Sequence, residues 1–212
     1  AKLAYQYTWD IFCDWYLEFA KVQIQNGSDS QKRATRRTLI SILEMILKIA
    51  HPIIPFITEE IWHSIAPLAG IELKTDGDSI MLQPFPVADQ SLVDQQAIND
   101  IEWVKQVIVG VRNVRGEMNI SPATSLEIYF ARGDSDDQRR LEENRQYLCK
   151  LAKLESITWL DNPEDAPLSA TALAGDLEIL VPMAGLIDVD AELKRLSKEI
   201  EKLSGDVQKL SG

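Results

Sequence analysis

Apolar side chains recur along residues 2–25 at alternating spacings of four and three: Tyr5, Trp9, Phe12, Tyr16 and Phe19. That period predicts an amphipathic helix whose buried stripe is unusually aromatic. The polar cluster Asn26-Gly27-Ser28-Asp29-Ser30 ends it, and Asp29 or Ser30 can cap the next helix. A second helix carries Leu39, Ile42, Leu43, Ile46 and Ile49 on one face and must stop near His51, because Pro52 disfavours helical geometry in the residue before it. After the kinked connector His51 to Phe56, Thr58 fits an N-cap, with Glu59 and Glu60 in the first turn and Ile57 and Trp62 as a hydrophobic staple. This third helix is expected to run to about Leu68.

Gly70 to Asp78 reads as loop and Met81 to Pro86 as an extended segment. From about Ser91 to Asn119 a long helix returns with two apolar rows, one of Ile101, Val104, Ile108 and Val111, the other of Trp103, Val107, Val114 and Met118. Two rows predict packing on more than one side, as for the central member of a helix bundle. Beyond Pro122 the period changes to two at Leu126, Ile128 and Phe130, followed by a helix from Asp134 to Leu154 with Leu141, Leu148 and Leu151 inward. Ile157–Leu160, Ala170–Ala174 and Leu177–Val181 are short strand candidates, the last two joined at Gly175-Asp176. Leu186, Val189, Leu193, Leu196, Ile200, Leu203, Val207 and Leu210 then keep a heptad spacing to the end of the sequence. The expected fold is mainly α: a helix bundle over 1–121, a small α/β subdomain over 122–185, and the start of a coiled coil over 186–212.

With 212 residues, 45% hydrophobic and 26% charged, the composition is that of a globular chain, and no apolar run reaches the length of a membrane helix. Cys13 and Cys149 lie far apart with no CxxC spacing, so no disulfide framework or thiolate zinc site is supported, and a reducing, cytoplasmic setting is expected. Position 1 is not Met and no leader pattern is present, which reads as a piece of a longer chain.

A net charge of -11 at first counts against a nucleic-acid partner, but the charge is uneven. Residues 1–50 carry seven Lys/Arg against five acids, whereas the rest carries 15 against 28. Four of those cations, Lys32, Arg33, Arg36 and Arg37, fall in the first turns of a predicted helix and oppose the positive end of its dipole. Either an anionic ligand or acids on a neighbouring element would relieve them. Lys105, Arg112 and Arg115 form a second group, for which intramolecular pairing competes strongly. The aromatic stripe is read as core, leaving only a ring at its edge such as Trp15 to stack on a base. His51 and His63 lack a third ligand and are read as structural, and Glu59-Glu60 as helix-start acids. No P-loop, dinucleotide-binding glycine motif, nucleophile elbow or HExxH sequence is present.

Two segments carry a resemblance: Trp9-Asp10-Ile11-Phe12-Cys13-Asp14-Trp15-Tyr16-Leu17-Glu18 and His51-Pro52-Ile53-Ile54-Pro55-Phe56-Ile57-Thr58-Glu59-Glu60-Ile61-Trp62. Both resemble the anticodon-binding domain of class I aminoacyl-tRNA synthetases for branched aliphatic amino acids. Val111 to Asn119, Gly175 to Pro182 and Gly185 to Leu193 are more particularly similar to the bacterial valyl-tRNA synthetase family, with Gly116 where that family usually has Ala. Isoleucyl enzymes share the bundle but commonly end in a cysteine-rich zinc module, absent from this sequence.

The resemblance implies a parent enzyme that attaches valine to its tRNA using ATP and edits mischarged threonine, with its nucleotide-binding signatures upstream of Ala1. For these 212 residues it implies a tRNA-binding part with no catalytic site, no metal and no cofactor of its own. The expected partners are valine tRNA and the upstream catalytic domain, with no membrane and a monomeric state. From charge and position, the candidate RNA contacts are Arg33, Arg36 and Arg37 on phosphates, with Lys21, Trp15, Arg112 and Asn113 as further contributors. The alternative is a structural module that docks on the catalytic body or pairs through the seam of Leu196, Ile200 and Leu203.

Overall fold

The computed structural model describes residues 1–75 and 77–183, together with Ser197, Ile200 and Ser204. The fold is mainly α with a small α/β part, and the chain divides into two compact units, 1–94 and 95–212. The division falls at 94/95, whereas the sequence reading ends its first domain at 121; the long helix over 95–117 packs on the sheet of the second unit. The heptad expected over 186–210 lies outside the described residues, apart from Ile200.

The first unit is built on a helical hairpin. Its first arm runs as α1 (Lys2–Gln6), a π-helical segment (Tyr7–Tyr16) and α2 (Leu17–Asn26). In the π segment backbone bonds span five residues, as from Leu17 N–H to Phe12 O, so residues at spacings of three and four no longer share one face. That is why the aromatic stripe splits. Phe12 and Phe19 are buried, whereas Tyr5 (66% exposed) and Trp9 (57%) face solvent, stacked on each other 6.4 Å apart. The expectation that the stripe forms core holds only for its later half.

The second arm, α3 (Asp29–Ala50), is capped by Ser28 and not by Asp29 or Ser30. Ser28 Oγ accepts from Gln31 N–H while Gln31 Oε1 accepts from Ser28 N–H, a reciprocal capping box. Buried Thr35 fastens the two arms by donating to Gln23 Oε1 at 2.6 Å. After α3 the helix α4 (Pro55–Ile65) starts earlier than expected, with Pro55 in the first helical position where its missing N–H costs nothing. Thr58 is therefore no cap. Its hydroxyl lies inside the helix, 2.9 Å from the Ile54 carbonyl and 2.8 Å from His51 Nδ1. Buried Glu44 joins α3 to α4 by accepting from Lys48 Nζ at 2.7 Å and Trp62 Nε1 at 3.3 Å. Around this link Leu47, Trp62, Ile65, Ala66 and Ile80 form a core. Glu59 accepts from Ser79 Oγ at 2.9 Å and lies 3.1 Å from His63 Nε2, so both histidines have structural partners, as expected.

The second unit begins with α5 (Gln95–Glu117), followed by β1 (Leu126–Ala131), α6 (Ser135–Leu151), β2 (Leu154–Trp159), β3 (Ser169–Ala174) and β4 (Leu177–Pro182). The sheet order is β2-β1-β4-β3. β1 and β2 pair in parallel through the α6 crossover, and β4 runs antiparallel to both β1 and β3. Gly175 takes φ 64° at the first central position of the β3–β4 turn, as read from the sequence. The two apolar rows of α5 face β3, β4 and α6. Close approach to the sheet requires Gly110, whose absent Cβ would meet Ala172 Cβ at 3.1 Å.

Asp100 near the start of α5 accepts from Arg139 at 2.9 Å and from Arg140 at 2.8 Å. The Arg139 hydrogen bond, against the opposing effect of burial, lowers its carboxyl from 3.8 to about 2. A lowered folded pKa contributes stability that is complete above 3.8 and lost as pH falls from there toward about 2. Asp100→Asn is expected to cost about 1–2 kcal/mol at neutral pH and to flatten the acid limb of the stability curve below pH ~4, read by urea unfolding across pH. Gly116 has no heavy atom within 4 Å of its missing Cβ, so Gly116→Ala is expected to add about 0.5–1 kcal/mol in the same assay.

Candidate nucleic-acid interface

The capping box at Ser28 sets where α3 begins, and therefore where its cations fall. Thr35 occupies the face turned toward α2, which leaves Arg33, Arg36 and Arg37 exposed on the other side. Arg33 lies one turn from both Arg36 and Arg37, so it repels each of them by a few tenths of a kcal/mol. None of them, nor Lys32, forms an ion pair among the described residues. The relief that sequence reading leaves open, acids on a neighbouring element, is not supplied by the described residues.

The other candidates are placed differently. Lys21 is exposed on α2 and pairs with Glu18 at 2.6 Å. The Gln23–Thr35 bond sets residue 23 level with residue 35 in the antiparallel hairpin, which places Lys21 level with about Arg37. Trp15 is half-buried in the π segment and stacks on Phe19 at 6.0 Å. Arg112 and Asn113 are exposed on α5 in the second unit.

Within the second group of cations, intramolecular bonding prevails. Lys105 pairs with Glu102 at 2.6 Å. Arg115 is buried and donates to the carbonyls of Ser121, Ala152 and Lys153 at 3.0–3.2 Å. Burial pulls its pKa down, and the three carbonyls offset that cost. Arg112 Nη2 donates to Leu151 O at 3.2 Å while the side chain stays exposed. Sequence reading passes over Lys150 and Lys153, which flank those same carbonyls. They lie nearly 40 residues from the arginines in sequence, so no local motif announces them.

The family model for the anticodon-binding domain of tRNA ligase matches residues 1–130. The chain belongs to that family. Its match takes in the whole first unit and runs through α5 to β1, so all seven candidate residues fall inside the anticodon-binding domain. tRNA is accordingly the partner, and the parent is an aminoacyl-tRNA synthetase. Among the described residues, no helix is long and apolar enough to cross a membrane, and no cluster of three or more His, Cys, Asp or Glu is placed to hold a metal.

Arg115→Ala is expected to destabilise this domain by about 2–3 kcal/mol, because three carbonyls lose their donor, while exposed Arg112→Ala costs less than about 1 kcal/mol. Chemical denaturation midpoints of the two variants check the difference.

Proposed function

We propose that this chain is the anticodon-reading part of a valyl-tRNA synthetase, in which Arg33, Arg36 and Arg37 grip backbone phosphates. The supporting observation is the cluster itself: three exposed guanidiniums close together in the first half of α3, unpaired among the described residues, inside an anticodon-binding domain. Phosphates supply the missing negative charge, and guanidinium matches them in bidentate geometry. Lys21 extends the grip. Trp15 and Asn113 are assigned to the bases, one as a stacking ring and the other as an amide that can pair with a base edge. The valine assignment rests on the resemblance of Val111 to Asn119 and Gly175 to Pro182. The parent enzyme activates valine with ATP and transfers it to tRNA, and this chain contributes the recognition of the RNA.

The test is a salt titration of binding to a valine tRNA and to the same tRNA with a changed anticodon. The unaltered chain is expected to prefer the former. An Arg33→Ala/Arg36→Ala/Arg37→Ala variant should bind both at least about tenfold more weakly, with the salt slope reduced by roughly one for each arginine that holds a phosphate. Equal affinity of variant and parent at low salt would sink the phosphate assignment. Asn113→Ala is expected to narrow the preference between the two tRNAs and to leave the salt slope unchanged.

A further inference from the structure

We propose that the C-terminal ends of α5 and α6 form a second RNA-phosphate contact, with Lys150 and Lys153 as its phosphate-binding cations and Arg112 beside them. The proposal rests on the tRNA-binding reading above and extends it to the second unit.

Three observations carry it. First, Arg112 and Arg115 reach from α5 to the carbonyls of Leu151, Ala152 and Lys153, which brings them to the end of α6 where Lys150 and Lys153 lie. A helix C-terminus ordinarily repels an anion, but here the buried Arg115 and the Arg112 donor mask its carbonyls. Second, charge pairing in this unit is otherwise thorough. Among its described residues, Lys105, Arg132, Arg139, Arg140 and Arg145 all hold carboxylates, and Arg112 and Arg115 hold carbonyls. Lys150 and Lys153 alone are exposed with neither, although Glu155, the acid nearest to both in sequence, is exposed as well.

Third, Lys153 takes φ 54° just past the helix, the position where glycine is preferred. A lysine there carries left-handed strain, and its side chain makes no bond within the fold that would offset it. Backbone strain retained for a side chain that the fold does not use points to a ligand. Two exposed, strongly hydrated ammonium groups beside a guanidinium suit RNA phosphates, which they hold as point charges without reading sequence.

Binding of the full 212-residue chain to the two tRNAs above, measured across a salt series, tests the contact. Lys150→Ala/Lys153→Ala is expected to weaken both tRNAs equally, by about tenfold near physiological salt, and to reduce the salt slope by roughly one per lysine. Lys150→Arg/Lys153→Arg should retain most of the affinity. Lys153→Gly separates this role from a structural one: thermal stability should rise while affinity falls. Unchanged affinity and slope in the double alanine variant, alongside weaker binding by the Arg33/Arg36/Arg37 variant, would overturn this contact and leave the first one standing. A fall in stability with Lys153→Gly and no change in binding would also overturn it. If the parent chain binds neither tRNA, both readings fall.

Discussion

Helix α5 is pinned to α6 at both ends, and the second unit depends on those pins. Near its start the Asp100 carboxylate holds the guanidiniums of Arg139 and Arg140, and near its end Arg115 commits its donors to carbonyls at the close of α6. The pairs 100 with 139–140 and 115 with 152–153 show that the two helices run in the same direction. Between the pins lies Gly110, which lets α5 settle on Ala172 and Ile179 of the sheet. A carboxylate and a guanidinium bracket an apolar seam, and the seam fixes the register in which the polar ends meet.

Charge is used in two distinct ways in the chain. Among the described residues of the second unit, most cations are held by a local carboxylate or by the carbonyls of a helix terminus. On α3, by contrast, Arg33 lies one turn from both Arg36 and Arg37, and none of the three has an ion pair among the described residues.

Much of this is legible from residue spacing. The helical hairpin, the stop before Pro52, the strand period at Leu126, Ile128 and Phe130, and the Gly175 turn follow from local rules, and the structure follows them too. Two departures have clear causes. A 3.6-residue period puts the whole aromatic stripe on one face, but the π segment changes that period, and no single residue marks the switch. Two apolar rows on the long helix require two neighbours and so suggest a bundle, yet periodicity does not distinguish a helix from a sheet as the neighbour. Of the proposed phosphate contacts, Arg33, Arg36 and Arg37 are visible because they lie within one turn of one another in sequence. The role of Arg115 is not, since its partners include carbonyls nearly 40 residues away, where side-chain identity carries no information.

The strand order bears on synthesis as well as on the finished fold. α5 is complete at Glu117, but β4, which lies between β1 and β3 and forms part of the surface α5 rests on, ends at Pro182, roughly 65 residues later. At ribosomal rates of about 5–20 residues per second, Val104, Val107, Ile108 and Val111 wait on the order of 3–13 s for their cover. During that interval the helix is an exposed apolar rod, and α6, whose arginines neutralise Asp100, emerges first. The nascent chain can thus clamp α5 by charge before its hydrophobic seat has been made.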